Sequence, residues 1–108
     1  MPLYNKLVRD KIPEVIEEAG KLCRTRILDD NEYIKELQAK SREELEEYMS
    51  ESDDKKAVEE LADLLEVMHA LAAVHGFSMA EIEKIRAEKA EKRGGFQDKV
   101  FLIDVEDD

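Results

Sequence analysis

The stretch EYIKELQAKSREELEEYMSESDDKKAVEELADLLEVMHALAAVH, residues 32–75, decides the fold. Apolar residues recur in it at helical spacing, interrupted once at Ser52-Asp53-Asp54. At about 100° per residue, Ile34, Leu37, Ser41, Leu45 and Tyr48 share one stripe of a helix running roughly from Glu32 to Met49. Val58, Leu61, Leu64, Leu65, Met68, Leu71 and Ala72 form a broad apolar face on a second helix, which runs to about His75. Ser52, Asp53 and Asp54 are the residue types that cap a helix start, and Gly76 is the type that closes one.

The same punctuation extends outward. Asp29, Asp30 and Asn31 precede the first of these helices as cap residues. Further upstream, Asp10 is placed to cap a short helix with Pro13 in its first turn and Gly20 at its end. Downstream, Ser78 with Glu81 three residues later forms a capping box, and the helix it opens runs to Gly94-Gly95. Leu22 to Leu28 alternates polar and apolar residues, and Val100 to Val105 is β-like, so the two are expected to pair as strands. The sequence therefore predicts an all-α helical bundle of four main helices with a minor two-stranded β appendage. No repeat, linker or composition break divides it, so residues 1–108 form one domain.

Composition agrees. Hydrophobic residues make up 43% of the 108 and charged residues 42%, the balance of amphipathic helices rather than of a disordered chain. Glycine and proline occur 4 and 2 times, which favours long helices. The formal net charge of −11 repels duplex nucleic acid and anionic membranes, and argues against both as partners. Cys23 is the only cysteine, so no internal disulfide forms, and a lone thiol suits a reducing cytosol. No apolar run approaches 18 residues and the N-terminus lacks signal-peptide features, so a cytoplasmic protein is expected. A chain this short buries limited apolar surface alone, which makes a homodimer or homotetramer the expected state.

Acidic residues number 28, so chance supplies roughly seven acidic pairs at i,i+3. Helical facing is more informative than spacing. Glu44 lies on the apolar face of its helix, between the angular positions of Tyr33 and Leu37, and Glu47 sits at the margin. Glu43 and Glu46 point further toward solvent. On the next helix Glu60 falls at the edge of the apolar face, and Asp63 on the flank shared with Val67 and Val74. Glu59 and Glu66 take the polar side. Two helices thus each turn an i,i+3 pair of carboxylates toward the packing interface. Buried carboxylates need partners. Lys or Arg could supply them, a wet groove could solvate them, or a divalent cation could bind all four. Oxygen-only ligation selects a hard ion, Mg²⁺ or Mn²⁺, over zinc.

At these residues a family likeness emerges. Glu43-Glu44-Leu45-Glu46-Glu47, followed after twelve residues by Glu60-Leu61-Ala62-Asp63, resembles the EExxE…ExxD signature of the all-α NTP pyrophosphatases. That superfamily includes MazG, the dimeric dUTPases and phosphoribosyl-ATP pyrophosphohydrolase. The opening Tyr4-Asn5-Lys6-Leu7-Val8-Arg9-Asp10-Lys11-Ile12-Pro13 is similar to the start of small MazG-like proteins, and Lys92-Arg93-Gly94-Gly95-Phe96 to their C-terminal segment. The likeness implies Mg²⁺-dependent hydrolysis of a nucleoside triphosphate, or a related nucleotide, to a monophosphate and pyrophosphate. Nucleotide-pool house-cleaning is one use for that reaction. By position it makes Glu44, Glu47, Glu60 and Asp63 the metal ligands, and Glu43, Glu44 and Glu47 the catalytic carboxylates.

An acidic site must still attract a polyanion. Asn5, Lys6, Arg9 and Lys11 near the start, and Lys89, Lys92 and Arg93 near the end, are the candidates for substrate contact. Lys89 and Lys92 equally suit a helix C-terminus on dipole grounds. Glu66 and His69 form a single ExxH on the polar side, whereas di-iron bundles need two such motifs pointing inward. The alternatives to the triphosphate reading are hydrolysis of phosphoribosyl-ATP in histidine biosynthesis, a dUTPase, and a non-catalytic acidic regulator or assembly subunit.

Overall fold

A computed structural model describes residues 2–107. It contains four helices: α1 (Ile12–Glu18), α2 (Asp30–Ser50), α3 (Asp54–Val74) and α4 (Met79–Arg93). Local side chains fix most of their ends. Asp29 accepts from the Glu32 amide at 2.8 Å while the Glu32 carboxylate accepts from the Asp29 amide at 3.4 Å, a complete capping box for α2. Arg26 clasps Glu32 from upstream with donors at 2.8 and 3.2 Å. Asp53 caps α3 by accepting from the Lys55 amide at 3.2 Å. Ser78 and Glu81 cap α4 reciprocally, as their spacing predicts.

The end of α3 is a Schellman motif. Gly76 adopts φ +78°, its amide donates to the Ala73 carbonyl at 3.0 Å, and the Phe77 amide reaches back to the Ala72 carbonyl at 3.0 Å. The left-handed backbone is what a glycine there supplies at least strain. Helix α1 departs from expectation at its start. Lys11 occupies the N-cap with no side-chain hydrogen bond, so Asp10 does not cap it, although Pro13 does lie in the first turn.

The β appendage is not there: among the described residues no strand forms. Alternation along Leu22–Leu28 and Val100–Val105 is a local pattern, and an isolated two-stranded ribbon is marginal in water even when its strands meet. Here one segment is tethered to the start of α2 through Arg26, and the other leaves the far end of α4. Both stay open to solvent, with Ile27 95% and Phe101 87% exposed.

Helices α2 and α3 pack along each other, joined by the short turn at 51–53 that makes them antiparallel. The residues they bury are Leu37 and Glu44 on α2 and Val67 and Ala72 on α3. Helix α4 meets α3 near their connection, where Met68, Leu71, Ala72, His75, Phe77, Ile82 and Ile85 line an apolar hollow of about 330 Å³. Helix α1 packs on no other helix. Among the described residues, no helix is long and apolar enough to cross a membrane.

The result is extended. The radius of gyration is 18.6 Å and the axes measure 64 × 35 × 26 Å, where a compact chain of this length has a radius of about 13 Å. The surface is 10240 Å², against about 6,200 Å² for a compact monomer of this mass. The broad apolar face expected on α3 is accordingly only half covered. Leu64 and Leu71 are half-buried, but Leu61, Leu65 and Met68 remain 43, 46 and 40% exposed. The buried apolar residues are few among those described, and Leu37 is one of them. Leu37→Ala should lower unfolding stability by about 2–5 kcal/mol, read as a drop in the urea midpoint followed by circular dichroism.

Candidate functional site

The carboxylates meet midway along the α2–α3 pair. Glu44 projects from α2 into the seam and is only 6% exposed. Glu47, one turn later, is exposed, and Glu60 on α3 is half-buried. One oxygen from each of the three lies within 4.8 Å of the other two. Their facing follows from helical geometry: positions 44 and 47 share one side of α2 because three residues span nearly one turn. The short turn at 51–53 then folds α3 back so that Glu60 comes opposite.

Two of the oxygens have no hydrogen-bond partner although they are buried, namely Oε2 of Glu44 and Oε2 of Glu60. An unpaired buried carboxylate oxygen is costly, and both carboxyls are raised. The carboxyl of Glu60 is pushed up to about 7, chiefly by the proton it can share with Glu47, then by burial and by Glu44. Burial raises that of Glu44, reinforced by the charges of Glu47 and Asp63 and opposed by a hydrogen bond with Glu60 and by Lys40. The donor set is entirely oxygen, partly buried and crowded with like charge. A hard divalent cation fits it, Mg²⁺ or Mn²⁺ in preference to zinc.

Three of the four expected ligands are therefore brought together, and the fourth stands beside them with a different partner. Asp63 Oδ1 accepts from Arg9 Nη2 at 2.8 Å. Glu43 lies on the flank of the cluster between two lysines, 3.7 Å from Lys6 Nζ and 3.6 Å from Lys40 Nζ. Lys40 also stands 3.7 Å from Glu44 Oε1. It is a member of the site that facing and motif spacing overlooked. The signal was present in its i,i+3 and i,i+4 separation from Glu43 and Glu44.

Of the residues expected to meet substrate, Lys6 and Arg9 reach the carboxylates from the N-terminal segment. Asn5 precedes them in a left-handed conformation, φ +44°, which asparagine tolerates better than most residues. Among the described residues, no hydrogen bond or ion pair links Asn5 or Lys11 to the cluster. The same holds for Lys89, Lys92 and Arg93 at the end of α4, a helix that packs on α3 alone. Compared with protein-family models, curated proteins and solved structures, the chain matches none.

The raised carboxyls set a pH dependence for the metal-free protein. Folded Glu60 keeps its proton up to about 7, while the unfolded chain releases it near 4.5. The folded state thus binds more protons across that window, so stability falls as pH rises through it. In EDTA the melting temperature should decline between pH 5 and pH 8, and Glu60→Gln should flatten the decline. If the cluster holds Mg²⁺, millimolar ion should raise the melting temperature more at pH 8 than at pH 5, because carboxylate ligands must be deprotonated. A profile that is flat in the wild type would contradict the shared-proton arrangement.

Proposed function

We propose that the chain is a Mg²⁺-dependent nucleotide pyrophosphohydrolase that converts a nucleoside triphosphate, or a related nucleotide, to a monophosphate and pyrophosphate. One observation carries the reading. Glu44 and Glu60, each with one buried, unpartnered oxygen, converge with Glu47, within the stretch that resembles the EExxE…ExxD signature. Glu44, Glu47 and Glu60 would hold the ion, with Asp63 adjacent. When bound, Mg²⁺ supplies charge neutralisation at the phosphates and a lowered pKa for water.

The remaining work falls to the chain's own side chains. Glu43 is engaged by Lys6 and Lys40, which leaves Glu47, exposed at the rim, as the carboxylate best placed to accept a proton from water. That water attacks the α-phosphorus, the bond from the α-phosphorus to the bridging oxygen breaks, and the electron pair leaves with pyrophosphate. Lys6, Arg9 and Lys40 offset the field of a chain with net charge −11 and offer donors to phosphate oxygens.

A nucleotide panel assayed for pyrophosphate with and without EDTA tests the reaction. Metal-dependent release from at least one nucleotide is expected. Glu60→Gln should lose at least the roughly 10–100-fold that a weakened metal site costs, with helicity intact. The neighbouring Glu59→Gln is exposed on the polar side and should retain activity. No turnover on any nucleotide, together with no heat of Mg²⁺ binding, would favour a non-catalytic acidic helical protein.

The same reading includes self-association. A chain that leaves Leu61, Leu65 and Met68 on one open stripe of α3, and that exposes far more surface than its mass requires, has an apolar face suited to a second copy. Light scattering should give a multiple of 12.5 kDa, and Leu65→Glu should shift it to the monomer mass. A wild-type monomer at micromolar concentration would refute this part.

A further inference from the structure

Five carboxylates crowd this region of the α2–α3 pair: Glu43, Glu44, Glu47, Glu60 and Asp63. Three cations face them: Lys6 from the N-terminal segment, Arg9 from the same segment, and Lys40 from α2. Fully ionised, the group lacks two positive charges, the charge of one divalent ion. The cations are unequal in kind. Lys40 belongs to α2 itself and is largely buried, with its side chain 19% exposed. Arg9 lies 54 residues from Asp63 in sequence, on a segment whose named polar ties to the α2–α3 pair are the Arg9–Asp63 and Lys6–Glu43 ion pairs. Both partners of each pair are substantially exposed. An exposed ion pair is a weak tie that competes readily with other partners.

Resting on the metal reading above, we propose that Arg9 is a resident counter-ion for Asp63. Asp63 exchanges this guanidinium for a divalent cation, and the freed Arg9, carried on the N-terminal segment with Lys6, turns to the phosphates of the substrate. The exchange explains why Asp63 stands outside the group formed by Glu44, Glu47 and Glu60 while sharing their neighbourhood. It also gives Arg9 two roles that one position can serve. Without the ion it lowers repulsion at the seam, and with the ion it is a donor fork of the shape that phosphate accepts. Arg9 is a positioning residue in the first state and a binding residue in the second.

The experiment is calorimetric titration of the full chain with MgCl₂ at low ionic strength, on the wild type, Arg9→Gln, Asp63→Asn and the double variant. Removing the resident cation should tighten Mg²⁺ binding by roughly two- to fivefold. In the Asp63→Asn background the same change should have no effect, because the exchange partner is gone. Equal tightening in both backgrounds would mean a long-range field effect and overturn the proposal. So would weaker binding in Arg9→Gln, which would make Arg9 a support for the metal-bound site. A second readout is amide hydrogen exchange across residues 3–11, which should quicken on Mg²⁺ addition in the wild type. Mg²⁺ binding with unchanged exchange there sinks the Arg9 exchange and leaves the metal reading standing. No Mg²⁺ binding by the wild type sinks both.

Discussion

The close approach of Glu44 and Glu60 across the α2–α3 seam is the constraint on which the other features depend. Each carries an oxygen removed from water with no protein donor. Two such groups, with Glu47 within 4.8 Å, cannot all stay ionised without a compensating charge. A proton, a lysine, an arginine or a metal ion must supply it. The seam has little spare stability to absorb uncompensated repulsion. Leu37, Val67 and Ala72 are the apolar residues it buries among those described, and burial of a Leu or Val contributes only about 1.5–3 kcal/mol. The proton held by Glu60, the lysine beside Glu44 and the arginine on Asp63 are three answers to one electrostatic problem, arranged along a single helix pair.

Under the proposed function, that arrangement also reconciles an acidic surface with an anionic substrate. A net charge of −11 sets the field at a distance, where salt screens it beyond about 8–10 Å. Within the site, Lys6, Arg9 and Lys40 decide what a phosphate meets. They reach it from two directions, one from α2 and two from a segment that approaches through side chains rather than a packed helix. Under the proposed reading, selectivity for a polyphosphate would rest on local basic groups and on whatever ion the carboxylates accept.

Features governed by neighbours in sequence were legible before the fold was known. The capping box at Ser78/Glu81, the cap residue Asp29 and the helix-closing glycines at 20 and 76 involve residues a few positions apart, and chemistry at that range is readable directly. Helical facing placed Glu44 on the apolar side, where it is buried, and Glu60 at the edge, where it is half-buried. Contacts that depend on chain closure were not legible. Nothing in the sequence separation of 54 positions between Arg9 and Asp63 states that they meet. The alternation in Leu22–Leu28 reads as a strand, yet a strand is defined by its partner, and none forms among the described residues. Lys89, Lys92 and Arg93 follow the same logic: their charge is visible in sequence, while the direction of α4 is a tertiary property that carries them elsewhere.

The exposed stripe on α3 ties these points together. Leu61 follows Glu60 directly, and Leu65 and Met68 continue the same face. Any surface that covers those residues, whether a second copy or another partner, removes water from the flank of the carboxylate cluster as well. Lower local dielectric strengthens every charge interaction there, so it deepens the repulsion among unpaired carboxylates and the attraction of any cation among them. Burial also raises the carboxyls, so a covered cluster holds its compensating charge, a proton or, under the proposed metal reading, a cation, more tightly than a wet one.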